Sequence, residues 1–265
     1  MPENKITFCD NAKRLRYHPI REGLLSRAVR CIRSAPALPH ATCNLSRQAI
    51  NKHQFEARRD KLRPLIHKAR LSALVVTLDA NRYYLSGFEL HYVQINESSG
   101  CLIITADGPD WLCTDARYLD AARRLWDENR IFIYRGNAME QINGLLKQHI
   151  SGTIGFEARN ISLAEYEQLA RDLAMQRADG MIESLRLIKE PEEIRRMEHS
   201  CALNHKLMQW LPEALLPGRT EAPVAWDIEQ VFRNNGAEEL AFPRPVAGDG
   251  NASLPHAEPF GARVP

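Results

Sequence analysis

No apolar run in this 265-residue chain reaches the roughly 18 residues that a membrane-spanning helix needs, so a helical membrane protein is excluded as a reading. The N-terminus has no apolar core of the kind a secretory leader carries, and a cytoplasmic protein is expected. Cys9, Cys31, Cys43, Cys101, Cys113 and Cys201 contain no Cys-x-x-Cys pair, which points to reduced thiols and not to a disulfide framework. Cys31, His40 and Cys43 lie near one another, but no second ligand pair stands at zinc spacing. Net charge is nearly absent too, at +2. What charge there is sits unevenly: residues 1–54 hold ten Lys or Arg against three acids, leaving 25 against 30 in the remainder. A mildly acidic body suits a soluble enzyme and argues against a broad nucleic-acid surface.

With 44% hydrophobic residues the chain can bury a real core, as one large domain or two ordinary ones. Residues 1–54 show neither a period of 2 nor one of 3.6, contain Pro19, Pro36 and Pro39, and read as a basic, disordered extension. From Phe55 the pattern changes. Phe55, Leu62, Leu65, Ile66 and Ala69 share one helical face, with Pro64 expected to bend or restart the helix. Ala73 to Thr77 is a short apolar run of the kind buried on both faces of a sheet. A turn and short helix over Asn81 to Phe88 precede two strands, Cys101 to Thr105 and Trp111 to Thr114, joined through Asp107-Gly108-Pro109 as a hairpin. Then follow a helix over 118–127, a strand over 131–134, a helix over 139–149, a strand over 153–156 and a helix over 162–174, with Ser162 and Glu165 spaced as a capping box. Met181 to Ser184 closes the set. Alternation of this kind implies a sheet covered by helices.

Beyond Leu185 the character is helical. Pro191 suits a first helical turn, and Glu192 and Glu193 sit at its positive end. Apolar groups recur at Ile194, Met197, Cys201, Met208, Leu211 and Leu215, a face expected to be buried. His199 and His205 are six apart, on different faces, and read as ordinary polar positions. Pro217-Gly218 breaks this helix, and Thr220 begins another with Val224, Ala225, Ile228, Val231 and Phe232 inward and Gly236 as its stop. In the stretch Phe242 to Pro259, Gly248, Gly250 and Asn251 permit a tight backbone excursion, and Pro255 fixes the chain just before His256.

Several of these strings carry a resemblance. Phe242, Val246, Ala247, Gly250, Asn251, Ala252, Leu254, Pro255 and His256, nine of the fifteen positions from Phe242 to His256, resemble the loop that opens the catalytic half of the creatinase and Xaa-Pro aminopeptidase family, the pita-bread metallopeptidases. Asn81 with Tyr84 to Phe88, Thr114-Asp115 with Arg117-Tyr118, and Ile154 to Glu157 resemble motifs of its N-terminal domain. On their own these residues read as core and turn, with Gly87 a helix terminator and Asp115 and Arg117 a local ion pair. Leu185 to Ile194 resembles the family's interdomain junction, and Pro217 to Glu221 its Pro-Gly-x-Thr-Glu sequence.

The resemblance implies an α/β fold: a creatinase-type N-terminal domain, a mixed sheet flanked by helices, over 55–184. The first helices and a strand of a truncated pita-bread α+β domain would follow over 187–265, the strand around Leu240 to Val246. It implies a family that hydrolyses peptides with an Xaa-Pro N-terminus using two divalent, manganese-like ions, with His256 as an active-site residue that contacts substrate and assists proton transfer. A role of that kind asks for a pKa near neutrality. His91 and Tyr92, after the Gly87-Phe88 turn, are placed where the module can overhang a neighbour's pocket. The family's metal ligands, two Asp, one His and two Glu, lie further along the chain than its loop histidine. After His256 this sequence has only Glu258 among the carboxylates, and no Asp or His. No metal is therefore expected in this chain, and no aminopeptidase activity from it alone. The other readings are a non-catalytic oligomerisation or peptide-binding module, with self-association expected, and a creatinase-like hydrolase that works without metal. Neither nucleic acid nor membrane is expected as a partner.

Overall fold

The computed structural model describes residues 52–88, 100–241 and 246–259, all within one unit, Asn44–Pro265. Most of the extension assigned to residues 1–54, with Cys31, His40 and Cys43, lies outside the described residues, as do His91 and Tyr92.

Helix α1 (Lys52–Lys68) buries Arg58, Leu62 and Ile66, spaced by four residues along one side. The bend expected at Pro64 does not divide it: α1 is a single helix with Pro64 inside. Pro64 and Asp60 are both exposed, so the carbonyl that loses its amide donor at the proline faces water. Then come β1 (Ala73–Val76), α2 (Asp79–Ser86), β2 (Cys101–Thr105) and β3 (Trp111–Asp115). Gly87 ends α2 in the left-handed conformation, φ 69°, donating its N–H to the Tyr83 carbonyl. After a 3₁₀ turn the chain forms α3 (Leu119–Leu125), β4 (Ile131–Tyr134), α4 (Ala138–His149), β5 (Ile154–Phe156) and α5 (Leu163–Leu169). The Ser162–Glu165 capping box forms as the spacing predicts.

Helix α5 is shorter than expected. Asp172 takes φ 58°, the Leu173 N–H turns back onto the Ala170 carbonyl, and the chain enters β6 (Met175–Arg177). The closing pair is thus β6 followed by a helix, α6 (Met181–Leu187). The two long helices are α7 (Pro191–Ala214) and α8 (Glu221–Asn234), and a 3₁₀ turn spans Asp249–Ser253.

The six strands form one mixed sheet in the order β4-β3-β2-β1-β5-β6. The β1/β2 and β2/β3 pairs are antiparallel; β1/β5, β3/β4 and β5/β6 are parallel. The period of two then sorts each strand between two cores. Leu74, Val76, Leu102, Ile104 and Leu112 meet Leu62, Ile66, Leu85 and Ile182 on one side. Ala73, Val75, Cys101 and Ile103 meet Ile142, Leu146, Ile154 and Leu169 on the other. Because both faces are covered, the central strands read as unbroken apolar runs.

Helix α7 departs from expectation in the face it buries. Leu203 and Ala214 are its buried residues, whereas Ile194, Met197 and Met208 are 46%, 55% and 62% exposed. The apolar repeat read from the sequence is real, but its stripe looks outward, because α7 meets α8 on another side, where Leu203 is buried and Leu203, Leu207, Ile228 and Phe232 line one pocket. Helix α8 does bury Val224, Ala225 and Val231 as its spacing predicts. Of the strand expected around Leu240 to Val246, only Leu240, Ala241 and Val246 are described, and none of the three belongs to the sheet.

Candidate functional site

The loop that ends in His256 is built on the first turn of α8. Thr220 precedes that helix in extended backbone, which puts Glu221 at its first position, where the unpaired amides favour a carboxylate. Glu221 is fully buried. Its Oε1 accepts the Gly248 N–H at 2.7 Å, and the Asn251 side-chain amide reaches its two oxygens at 3.2 and 3.3 Å. Within the loop the Asn251 N–H donates to the Gly248 carbonyl and the Leu254 N–H to the Asn251 carbonyl, which closes the 3₁₀ turn. One carboxylate therefore holds the loop at two points four residues short of Pro255.

His256 leaves this anchored turn exposed, with φ at 55°, a left-handed conformation that a residue with a Cβ adopts at a cost. His91 and Tyr92, the other expected site residues, lie outside the described residues. Among the described residues no group of three His, Cys, Asp or Glu side chains converges in a way that could hold a metal ion. Glu221 is committed to Gly248 and Asn251, and His256 with Asp249 and Glu258 in sequence falls short of the two Asp, one His and two Glu implied by the resemblance.

A second cluster fixes α7 to the preceding module. Buried Arg58 on α1 donates to Glu190 through Nη2 at 2.9 Å and Nε at 3.2 Å, and to the Tyr84 carbonyl through Nη1 at 3.0 Å. Its guanidinium lies 4.2 Å from the centre of the Tyr84 ring. Gln54 and Lys61 each donate to Glu190 at 2.8 Å. Glu190 also forms a capping box with Glu193 at the start of α7, so one carboxyl both caps that helix and ties it to α1. Partial burial pushes the Glu190 carboxyl up, but donation from Gln54, Lys61 and Arg58 outweighs it and holds the pKa at about 2.

Because that value lies below the ordinary carboxylate range, the contribution of Glu190 is complete above about pH 4.5 and is lost as pH falls toward 2, the unfolded chain taking the proton first. The expected result is a stability gap between the native protein and Glu190→Gln of about 1–2 kcal/mol at pH 6, solvent screening allowed for. It should shrink in denaturant titrations as pH falls to 3. A gap independent of pH would show that the charge carries no stability.

A cavity of about 460 Å³ adjoins this cluster, walled by Arg58, Arg82, Tyr83, Arg186 and Glu193 among others. Its cations are already engaged: Arg58 with Glu190, Arg82 with Asp79 at 2.9 Å, Arg186 with the Asn81 side-chain carbonyl at 2.7 Å. Its walls hold the fold together and present no spare charge to a ligand.

The N-terminal motif residues have a similar role. Glu157 at the end of β5 is buried and accepts from the Thr77 N–H at 2.6 Å, the Leu78 N–H at 2.7 Å and the Asn81 amide at 2.6 Å. Asn81 in turn donates to Glu183 at 2.8 Å. Burial pushes the Glu157 carboxyl up, opposed by these donors. Asp115 and Arg117 form the local pair that the sequence predicts, 2.8 Å apart, and donation from Arg117 lowers the Asp115 carboxyl.

Two family profiles cover this architecture. Residues 58–188 match the creatinase/prolidase N-terminal domain, and residues 195–264 match metallopeptidase family M24. The chain belongs to the creatinase/prolidase family. A peptidase-class protein of Bacillus subtilis, YqhT, is 26% identical over 74% of this chain and 54% of its own length. The Xaa-Pro dipeptidase of Pyrococcus furiosus is 24% identical over 79% and 58%. An Xaa-Pro dipeptidase structure from Bacillus anthracis superposes with a TM-score of 0.68 at 22% identity, over 79% of this chain and 57% of that one. This creatinase/prolidase chain thus spans little more than half the length of the relatives it matches. Among its described residues, no helix is long and apolar enough to cross a membrane.

In the sequence Pro217 to Glu221 resembles a family string, and nothing there assigns Glu221 a task. An acid in a first helical turn is ordinarily solvated, and only its burial beneath Gly248 and Asn251 reveals it as the loop's anchor. Nor did it find the Arg58–Glu190 clamp, whose partners stand 132 residues apart.

Proposed function

We propose that this chain supplies the N-terminal module, residues 55–184, and the opening, histidine-bearing segment, residues 187–265, of an Xaa-Pro peptidase, which hydrolyses the bond between an N-terminal residue and proline. The observation that carries the reading is the loop pinned to buried Glu221, from which an exposed His256 projects. An imidazole so placed can hydrogen-bond a substrate carbonyl or amine and pass a proton. The divalent pair of M24 metallopeptidases, when bound, would activate the attacking water. The residues described here do not build that site, and the sequence after His256 adds only Glu258 as a carboxylate. On this reading residues 1–265 by themselves bind or present substrate, and turnover belongs to a site that holds the divalent pair.

Hydrolysis of an Xaa-Pro dipeptide with added manganese tests this. The expected rate equals that of buffer, and turnover that disappears in His256→Ala would overturn the reading. Thiols without a Cys-x-x-Cys partner suit a reducing, cytoplasmic setting.

A further inference from the structure

The hairpin of β2 and β3 brings two thiols face to face. Its register sets Cys101 directly opposite Cys113. Both side chains belong to the core that holds Ala73, Val75, Ile103 and Trp111, and both are fully buried. The Cα atoms of facing residues in an antiparallel pair stand about 4.5–5.5 Å apart, within the roughly 4.4–6.8 Å that a disulfide spans.

The register is held at this level from two sides. Gly100, with φ at 116°, comes so close to the Cys113 carbonyl that a Cβ there would collide with it. Buried Arg82 on α2 donates through Nη1 to the Gly100 carbonyl at 2.5 Å. The residue before Cys101 is therefore fixed against both the partner strand and a helix, and the thiols cannot slide apart. Burial, and after it the hydrogen bond with Cys101, push the Cys113 thiol well above its ordinary value. The resting pair is accordingly protonated and slow to react. Cys201, the other cysteine among the described residues, is exposed and has no such partner strand.

We propose that Cys101 and Cys113 form a redox modification site, a dithiol that a small hydroperoxide converts to a disulfide between β2 and β3, stabilising the N-terminal module. One sulfur, as its thiolate, attacks the peroxide oxygen; the O–O bond breaks, an alcohol or water leaves, and a sulfenic acid remains. The second sulfur attacks the first and expels water as the S–S bond forms. Two thiols and one hydroperoxide thus give one disulfide, one alcohol or water, and one further water, with the sulfurs oxidised by two electrons and the peroxide reduced. Hydrogen peroxide is small enough to reach the pair through the local openings that any sheet samples. The bond falls at the end of the hairpin away from its turn, so the closed ring takes in both strands.

The test uses the full chain with Cys9, Cys31, Cys43 and Cys201 changed to Ser, treated with hydrogen peroxide, then denatured and alkylated. Both remaining cysteines lie in the tryptic peptide from Tyr83 to Arg117. The expected peptide takes up no alkylating agent, is lighter than the reduced one by two hydrogens, and reverts with dithiothreitol. The oxidised chain should keep its far-ultraviolet dichroism and melt about 5–10 °C higher. If the fourfold variant fails to fold, the same peptide from the oxidised native chain gives the same reading. Two alkylated thiols after prolonged treatment, or a sulfinic acid at one position with no disulfide, would overturn the proposal. So would an oxidised chain that has lost its dichroism, since the bond would then have closed outside the native register. An oxidised chain that melts no higher than the reduced one overturns the stabilising role.

Discussion

Glu157→Ala is expected to destabilise the N-terminal module by roughly 3–5 kcal/mol, since each buried donor left without an acceptor costs about 1–3 kcal/mol. Three donors converge on this side chain: the Thr77 and Leu78 amides and the Asn81 side chain. Thr77 and Asn81 are buried, so their donors have little water to turn to, while Leu78 is half-exposed and loses less. Asn81 retains Glu183, which limits its share of the loss. Against a total of about 5–15 kcal/mol for an ordinary domain, that is enough to leave a substantial fraction unfolded at 37 °C. Glu157→Gln keeps one acceptor oxygen but turns an amide donor toward other donors, and should fall between the two. Urea titrations followed by circular dichroism measure the series, and an alanine variant within 1 kcal/mol of native, on the scale of an ordinary surface substitution, would show that these hydrogen bonds are not what holds β1, α2 and β5 together.

Glu221→Ala should have an effect that is large but local. The carboxylate is buried beneath the loop, and its removal orphans the Gly248 amide and one arm of Asn251. The loss is roughly 2–4 kcal/mol in the segment that contains α8 and the His256 turn. The sheet of the N-terminal module has its own two cores and makes no use of Glu221. Hydrogen exchange read peptide by peptide should therefore rise over residues 246–256 and the start of α8, with β1, β2 and β5 protected as before. Equal deprotection of the sheet would mean that loop and module unfold as one, and that Glu221 is not a local anchor.

Much of the fold was legible because its chemistry is local. The hairpin, the Gly87 stop and the Ser162–Glu165 box depend on neighbours a few residues away. What escaped depends on distant partners. β6 reads Met-Gln-Arg, with no β-branched or aromatic residue, and is a strand only because β5 lies beside it. The direction of the α7 stripe depends on α8, beside which Leu203 is buried while Met208 stays outside. At the candidate site the histidine and its flexible glycines could be named from the sequence, whereas the carboxylate that holds the loop could not. A buried Glu221 and a solvated one look alike until Gly248 and Asn251 are seen to donate to it.

The account turns on a loop, held by buried Glu221, that presents His256, with no metal-holding carboxylate cluster among the described residues. Its most direct test is the metal content of the purified chain after incubation with manganese and gel filtration, measured by inductively coupled plasma mass spectrometry. Manganese at background level, unchanged in His256→Ala, is the result expected. Two ions retained per chain would contradict it.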